Sequence, residues 1–456
     1  MRLATRFLSA FPAALLIASL ATPALAQRAT YPAEEFTARR EKLIATLPPG
    51  VAVMMFAASM PQPGIRFRQD NDFFYLTGNE DLSAILYIDT TRRESFLFLP
   101  KQPPRQIEVD GPNWLEDKDA AKTRGFAAIH PLPYLEEFLA RRRNAAPQTL
   151  YVRLSERDEV DMSRGDKALH WGRKASSSWG TQPTEDAWRI DELRRRYPHF
   201  ELKDISPTMD ALRVIKTPRE IEILRRNGKI SAEGIKRAIA LTKAGRYEYE
   251  LEAEARYVFA KGGSEMDAYP AIVGSGPNVN TWHYNRNDRA LENGDLIVMD
   301  YGASLGYQTM DITRTWPVSG KFDELQERAY RADLEAQKAI IAAMRPGATR
   351  AQTQEICRKI FEKWGFGDQR PGSAGHFVGL AVHDVGDPNE PFKPGMVIAV
   401  EPIIEIKDKR IHIRIEDTVL ITEGEPEILS KDVPKEVDEL LALISKAAPP
   451  ARPVSR

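Results

Sequence analysis

Acidic residues stand inside apolar, strand-like runs in the C-terminal half of this chain, although acidic side chains normally lie at the solvated surface. Asp300 ends one such run and Asp311 opens the next. Gly302 and Gly306 lie between them and favour a tight reversal of the chain. A hairpin there would bring the two carboxylates together on one face.

Two further acidic residues, Glu401 and Glu416, follow later in the same half. Glu401 ends an apolar run and is followed by Pro402. Around Glu416, isoleucines alternate with polar residues, namely Ile411, Ile413 and Ile415 against His412, Arg414 and Glu416. Since the isoleucines must face a core, the polar side chains share the opposite face. Four carboxylates gathered in this way would repel each other strongly unless a cation neutralised them.

His376 lies among small residues, which would let another group approach it closely. A single histidine is more often structural than a metal ligand, but the four carboxylates make a ligand role competitive. Two divalent metal ions would balance the carboxylates, and the neutral imidazole would add a nitrogen. Such ions acidify a bridging water to hydroxide at neutral pH. Oxygen-rich ligation favours manganese (Mn²⁺), and the order of metal affinities also admits zinc or cobalt.

The elements that precede this half alternate between strand-like and helix-like runs from residue 33 to about residue 205, which indicates an α/β domain. Residues 101–118 and 155–184 are polar and rich in proline, glycine or serine, so they are predicted to form long loops. The strand-like runs are 51–57, 84–88, 95–99 and 150–154, and the helix-like runs are 34–47, 132–143 and 185–197.

A domain boundary is predicted near residue 206. Soon after it, Thr217, Pro218 and Glu220 form the start signal of a helix with a capping box. The second domain, 207–446, mixes helices with paired strands. Asp323 is predicted to cap a further helix, and the final residues, 447–456, form a flexible tail rich in alanine and proline. Strands are predicted at 296–300, 309–315, 397–401 and 410–421.

The composition is that of a soluble globular protein with two domains, because the chain has 456 residues, of which 42% are hydrophobic and 28% charged. A formal net charge of -1 provides no field that would attract nucleic acid or an acidic membrane, so neither is an expected partner. Cys357 is the only cysteine and lies in a helix-like run. It is therefore predicted to be a buried apolar thiol rather than a nucleophile.

The first 26 residues have the pattern of a secretory signal peptide. A positively charged start is followed by a mostly apolar stretch at 7–20 and by an A-x-A pattern at 24–26. A membrane anchor is the alternative, but the apolar stretch is short for a span and is interrupted by proline. Cleavage before Gln27 and export, to a bacterial periplasm, are therefore expected.

Spaced segments of the C-terminal half resemble aminopeptidase P and prolidase, and they follow one another in that family's order. They are 283–284, 295–300, 311–317, 375–386, 400–402 and 413–417. The match covers about residues 215–430, and the segment 71–78 resembles the creatinase-like domain of the same family. The resemblance implies an α/β + α+β architecture, in which a creatinase-like α/β domain at 27–206 precedes a pita-bread catalytic domain at 207–446.

The resemblance also implies a role for each predicted metal ligand. Asp300 resembles the first bridging ligand of a two-metal site, and Asp311 resembles the second aspartate. His376 resembles the single imidazole ligand, and Glu416 resembles the second bridging carboxylate. Glu401 resembles a ligand that also handles the proton of the attacking water.

Two histidines and one arginine complete the predicted site. His283 and His383 resemble the residues that bind the substrate and steady the tetrahedral intermediate. Arg414 resembles the arginine that organises the groups around the metals.

One position departs from the family's pattern. Relatives have another histidine four residues before the metal-ligand histidine, and this chain has Gly372 there. The metal site does not need that imidazole, whereas rate and substrate preference would depend on it. Arg370 and His412 are candidates to replace it.

The activity implied is removal of the first residue from peptides with proline in second position, by attack of a metal-activated hydroxide. An Xaa-Pro dipeptidase (prolidase) would share the same ligands, and a tripeptide substrate separates the two. A methionine aminopeptidase has similar ligands but usually lacks the large N-terminal domain. A non-catalytic peptide-binding protein is the alternative of another class, and the intact ligand positions argue against it. The expected partners are peptides with proline second and further copies of the chain, in a dimer or tetramer.

Overall fold

The computed structural model describes residues 28–60, 66–142, 147–177, 179–180 and 182–445. The predicted signal peptide and the predicted tail lie outside these residues. Among the helices of the described ranges, none has the length and apolar character needed to span a membrane.

The N-terminal part is built on a six-stranded sheet with the order β4-β3-β2-β1-β5-β6. Its strands are β1 (Val51–Phe56), β2 (Ile85–Asp89), β3 (Glu94–Leu99), β4 (Ala128–Pro131), β5 (Thr149–Val152) and β6 (Glu201–Asp204). The first three strands pair antiparallel, whereas β4, β5 and β6 pair in parallel with their neighbours. Apolar clusters cover both faces of this sheet, which is why its strands read as nearly continuous apolar runs.

Helices accompany this sheet as expected for an α/β domain. They are α1 (Ala33–Thr46), α2 (Asn71–Thr77), α3 (Pro104–Asp110), α4 (Ala120–Thr123), α5 (Leu135–Arg142), α6 (Arg164–Ala175) and α7 (Glu185–Arg196), with a 3-10 turn at Leu132–Tyr134. The predicted helices at 34–47 and 185–197 are confirmed.

The prediction of two long loops without helices was wrong, because α3 and α6 lie inside them. Ser163 starts α6 with a capping box, in which its hydroxyl accepts from the Asp166 amide and the Asp166 carboxylate accepts from the Ser163 amide. Lys167 is the one buried residue within this helix as described. The surrounding stretch is polar and rich in glycine and serine, a composition typical of a loop, and it concealed the helix.

The C-terminal part contains the helices and small sheets that form the site. Its helices are α8 (Ser206–Arg213), α9 (Pro218–Ala240), α10 (Glu248–Lys261), α11 (Glu324–Ala343), α12 (Arg350–Trp364) and α13 (Val437–Ser445), with 3-10 turns at Gly276–Asn280 and Lys407–Lys409. Its strands are β7 (Met266–Asp267), β8 (Ile272–Ser275), β9 (Leu296–Asp300), β10 (Ala303–Leu305), β11 (Gln308–Thr309), β12 (Thr313–Pro317), β13 (Ala374–Phe377), β14 (Val397–Val400), β15 (Ile403–Ile406), β16 (Ile411–Arg414), β17 (Asp417–Leu420) and β18 (Glu427–Ile428).

Local signals in the sequence explain where the long helices begin. The predicted capping box of Thr217 and Glu220 starts α9, and Asp323 caps α11. The apolar faces of α9 and α11 pack into one large core together with the strands. Cys357 on α12 belongs to this core, so its predicted burial is confirmed, and burial raises the pKa of its thiol to about 12.

Two predicted strands are interrupted, and both interruptions lie at the site. The predicted strand 309–315 divides into β11 and β12, and the predicted strand 410–421 divides into β16 and β17. β9 pairs antiparallel with β12, so Asp300 lies opposite Thr313 rather than opposite Asp311. Asp311 and Glu416 therefore lie in short segments between strands, outside the paired residues of the sheets.

The glycines between Asp300 and Asp311 have distinct tasks. Gly306 adopts a φ of +54°, which a β-hairpin turn between β10 and β11 requires. A Cβ atom at Gly302 would lie 1.8 Å from the Met310 carbonyl oxygen. Because only glycine permits that approach, the chain can fold back and bring Asp311 towards Asp300.

Candidate active site

The predicted aspartate ligands converge on one tyrosine. Asp300 lies at the end of β9 and Asp311 lies just before β12, and both are buried. The Tyr269 hydroxyl lies 2.6 Å from Asp300 Oδ1 and 2.6 Å from Asp311 Oδ1, and it can donate to either carboxylate. The structure therefore brings these carboxylates together, as the sequence predicted.

His376 and the two predicted glutamates complete the cluster. His376 Nε2 lies 3.4 Å from Asp311 Oδ2 and 3.7 Å from Glu401 Oε1. Ligand atoms of Asp311, His376 and Glu416 lie within 4.8 Å of one another. His376 Nδ1 lies 3.1 Å from the Phe377 carbonyl oxygen, so Nδ1 carries the proton in the neutral ring and Nε2 keeps its lone pair for the cluster.

The electrostatics of the cluster require a compensating positive charge. Burial and the neighbouring Asp311 raise the pKa of Asp300 to about 7, although Arg414 opposes the rise. Burial and the carboxylates of Asp311, Glu401 and Asp300 raise the pKa of Glu416 well above its usual range. Burial would lower the pKa of His376, but Asp311 and Glu401 outweigh it and raise the pKa to about 9.

The donor set fits divalent cations. Glu416 Oε2 accepts a hydrogen bond of 2.7 Å from the Thr313 hydroxyl. Glu416 Oε1 is buried and has no hydrogen-bond partner in the described ranges. Buried carboxylates with an open oxygen and a lone imidazole nitrogen are ligands that hard or borderline divalent metals accept. Asp300, Asp311, His376, Glu401 and Glu416 would hold such ions, and their ligand roles stay a prediction.

Arg414 is the fixed positive charge beside this cluster. It lies on β16, and its Nη2 donates a 2.8 Å hydrogen bond to Asp300 Oδ2. Burial would lower the pKa of Arg414, but Asp300 and the other carboxylates keep it raised and the group charged. Its backbone amide donates to the Thr315 hydroxyl, which holds β16 against β12.

His383 lies at the cluster, whereas His283 has no hydrogen bond or ion pair with it in the part of the chain that the structure describes. The rings of His376 and His383 meet edge to face with centroids 4.2 Å apart. Burial and the neighbouring His376 lower the pKa of His383, so its ring is neutral near pH 7. His283 is exposed in the loop before β9, and no hydrogen bond joins it to the carboxylates in the described structure.

Comparison of the sequence with known proteins identifies the family of this chain. The sequence model of metallopeptidase family M24 matches residues 222–423, and that of the aminopeptidase P N-terminal domain matches residues 36–151. The chain is 31% identical to the Xaa-Pro aminopeptidase of Haemophilus influenzae over 466 residues, covering 92% of this chain and 99% of the relative. This chain belongs to the aminopeptidase P and prolidase family. Family membership makes it a metallo-aminopeptidase and rules against the non-catalytic alternative.

Further relatives extend over nearly the whole chain. The Xaa-Pro aminopeptidase of Escherichia coli is 32% identical over 464 residues, covering 91% of this chain and 98% of the relative. The solved structure of proline aminopeptidase P II from Yersinia pestis is 29% identical, with a TM-score of 0.76 over 91% of this chain and 100% of that one. The predicted architecture of a creatinase-like domain followed by a pita-bread domain is therefore confirmed.

Gly372 stands where relatives have a histidine, four residues before His376. A Cβ atom there would lie 2.8 Å from the Pro402 Cα atom and 3.0 Å from its Cβ atom. The backbone at residue 372 thus packs directly on the residue that follows Glu401. A side chain at residue 372 would require that contact to shift.

Sequence reasoning missed two residues of this family member's site. Tyr269 bridges Asp300 and Asp311 from 31 and 42 residues away, and no local pattern identifies it. Asp166, at the start of α6, places its Oδ2 atom 3.3 Å from His383 Nδ1, so the N-terminal domain contributes a carboxylate to the edge of the site. The capping box at Ser163 was the signal that could have indicated α6.

Proposed function

We propose that this metallo-aminopeptidase is an Xaa-Pro aminopeptidase that removes the first residue from peptides with proline in second position. The observation that supports it best is the convergence of Asp300 and Asp311 on the Tyr269 hydroxyl, with His376 Nε2 3.4 Å from Asp311. The aminopeptidase P type of N-terminal domain at residues 36–151 favours an aminopeptidase over a dipeptidase.

The cluster would hold two divalent ions, for which manganese is the proposed metal because oxygen donors predominate. When bound, such ions acidify water and polarise a carbonyl group. Four carboxylates balance the charge of two dications, and Arg414 donates a hydrogen bond to Asp300 and adds one further positive charge beside the site. Tyr269, whose pKa burial and the two aspartates raise well above its usual range, remains a hydrogen-bond donor at neutral pH.

Glu401 is the carboxylate best placed to move a proton. Its side chain is 29% exposed, against 8% for that of Asp311, so it reaches the open side of the cluster. It would accept a proton from the attacking water and pass it to the departing proline nitrogen, as a general base and then a general acid. His383, half-exposed beside His376, would contact the substrate through Nε2, which accepts a hydrogen bond from a substrate N–H group because Nδ1 carries the ring proton towards Asp166.

The first test is hydrolysis of Ala-Pro-Ala, Ala-Pro and Ala-Ala-Ala by the purified protein with added Mn²⁺. Release of alanine from Ala-Pro-Ala, with little cleavage of Ala-Ala-Ala, would support the proposal. Cleavage of Ala-Pro alone would make the protein a dipeptidase, and equal cleavage of both tripeptides would refute the preference for proline.

Export and assembly are further parts of the proposal. The signal-peptide pattern at residues 1–26 supports export to a bacterial periplasm and a mature chain that starts at Gln27. Expression in a bacterial host, followed by fractionation and mass measurement of the N-terminus, tests this, and an intact N-terminus in the cytoplasm would refute it. Sedimentation of the mature protein tests the proposed dimer or tetramer, and a monomer at all concentrations would refute it.

A further inference from the structure

The two-stranded ribbon of β15 and β16 carries a second polar cluster next to Arg414. In this antiparallel pair Ile403 lies opposite Arg414, and Glu405 lies opposite His412. Side chains directly opposite each other, and those two residues apart on one strand, point to the same face. Glu405 and His412 therefore lie on the face where Arg414 contacts Asp300, about 7 Å further along the strands.

Buried polar atoms of this cluster have no partner. Both ring nitrogens of His412 and the Oε1 atom of Glu405 are buried without a hydrogen bond in the part of the chain that the structure describes. His412 Nδ1 lies 3.6 Å from Glu405 Oε1, which is too far for a hydrogen bond. Asn280 donates to the Lys407 carbonyl oxygen of the ribbon, and its Oδ1 atom likewise has no hydrogen-bond partner among the described residues. Natural proteins seldom leave such atoms unpaired, so the cluster suits a ligand.

The charges of the cluster specify the kind of ligand. Burial and the positive charges of Arg414 and Lys407 lower the pKa of His412 to about 3, so its ring is neutral and retains one acceptor nitrogen. Lys407 Nζ lies 3.5 Å from Glu405 Oε2, and the Lys407 side chain is 70% exposed. Lys407 thus approaches one oxygen of Glu405 from solvent and leaves Oε1, the oxygen that faces His412, unpaired. The Glu405 carboxylate and the neutral His412 ring both accept hydrogen bonds, so they favour a ligand group that is positively charged and donates hydrogen bonds.

An aromatic side chain borders the same cluster. The Trp282 ring meets His412 edge to face, with centroids 5.9 Å apart. Trp282 is 46% exposed, so its ring contacts both His412 and solvent. An aromatic face next to a carboxylate attracts ammonium and guanidinium groups.

We propose that Glu405, His412 and Trp282 form a subsite for the basic side chain of the peptide's first residue, so that the enzyme prefers arginine or lysine before proline. This inference rests on the proposed function, because the subsite acts only when a peptide N-terminus lies against the predicted metal ligands. The distance of about 7 Å along the strands from Arg414 suits the length of a lysine or arginine side chain.

A test without mutation compares substrates that differ only in charge. The wild-type protein with Mn²⁺ is assayed on Arg-Pro-Ala against citrulline-Pro-Ala and on Lys-Pro-Ala against norleucine-Pro-Ala. We expect kcat/KM to be about 10-fold higher for the charged member of each pair, as for a hydrogen bond to a charged group. Equal values for both pairs would overturn the proposal.

A variant then assigns the preference to Glu405. Glu405→Gln keeps the shape of the side chain and removes its charge, and we expect it to lower the ratio of kcat/KM for Arg-Pro-Ala over Ala-Pro-Ala about 10-fold. The control is Glu327→Gln, which removes a charge from an exposed ion pair on α11 and should leave the ratio unchanged.

The possible failures can be told apart. If Glu405→Gln lowers kcat/KM equally for all peptides, Glu405 acts on the common α-ammonium group or on the fold, and the subsite proposal is wrong. If the wild-type protein cleaves none of the proline peptides, Ala-Pro-Ala included, the proposed function itself fails.

Discussion

Arg213 Nη2 lies 2.6 Å from Asp384 Oδ1, and both side chains are buried. The same guanidinium contacts Asp72, from the N-terminal domain, and Asp158. Asp384 directly follows His383, and its second oxygen accepts from Lys216. This ion network therefore joins the N-terminal domain to the segment that positions His383.

Breaking this network should destabilise the fold. Asp384→Ala removes the carboxylate that pairs with buried Lys216 and one of the three carboxylates that contact Arg213, so we expect the free energy of unfolding to fall by about 3–5 kcal/mol. Urea unfolding of the purified protein measures this. Glu327→Ala, which breaks an exposed pair on α11, should cost about 1 kcal/mol or less. Equal effects of the two changes would show that the buried network contributes no more than a surface pair.

Tyr269→Phe should weaken metal binding while preserving the fold. The change removes the hydroxyl that both Asp300 and Asp311 contact, and it keeps the ring. Loss of a hydrogen bond to a charged group corresponds to a roughly 10-fold higher Kd for Mn²⁺, which calorimetric titration measures. Tyr330→Phe is the matched control, because that hydroxyl donates to the Lys435 carbonyl away from the cluster. Similar Kd values for the two variants would contradict the role of Tyr269.

Glu401→Gln should remove turnover with little change of structure. General acid–base catalysis contributes about 100-fold to 10,000-fold, so kcat for Ala-Pro-Ala should fall at least into that range. The assay is run at saturating Mn²⁺, so that weaker metal binding cannot explain the loss, and circular dichroism verifies the fold. A variant that keeps most of its kcat would show that another group moves the proton.

Metal binding should stabilise the protein through Asp311. A ligand that binds only the folded state adds about 2.7 kcal/mol when its free concentration is about 100 times Kd. We therefore expect Mn²⁺ to raise the Tm of the wild-type protein and chelation to lower the Tm and stop hydrolysis. Asp311→Ala should show no rise in Tm with Mn²⁺ and no bound metal by elemental analysis. An unchanged metal content would exclude Asp311 as a ligand.

Acid should weaken a second buried ion cluster, centred on Asp186. Burial would raise the pKa of Asp186, but Arg153 and Arg157 outweigh it and lower the pKa from 3.8 to about 2. A carboxylate whose folded-state pKa is depressed stabilises the fold above its unfolded value, and this contribution disappears as the pH falls through the folded value. The shift corresponds to about 2 kcal/mol at neutral pH.

The variant Asp186→Asn tests this window. Its difference in unfolding free energy from the wild type should be constant from about pH 7 to pH 5 and should shrink between pH 4 and pH 3. Asp191→Asn, in an exposed pair with Arg194, should show a small difference at every pH. A difference for Asp186→Asn that does not change with pH would assign the effect to packing rather than charge.

The features that could be predicted from the sequence are those set by neighbouring residues in the chain. The capping residues of α9 and α11 and the apolar runs of β9 and β14 are visible within a few residues of chain. Acidic residues at the ends of such runs indicated Asp300, Asp311 and Glu401, because burying a carboxylate is costly and needs a reason. The helix α6 was missed because its stretch of chain is polar and rich in glycine and serine, which is the composition of a loop.

The sequence by itself determined which residue types could bind metal and the order of the two domains, because periodicity, caps and turn residues act over short distances. Only the tertiary structure decided that Asp300 lies opposite Thr313, that Tyr269 joins the two aspartates and that Glu405 faces His412. It also placed Asp166 beside His383, which lies 217 residues further along the chain. Such contacts depend on how strands pair and helices pack across long stretches of chain, and no local pattern encodes that arrangement.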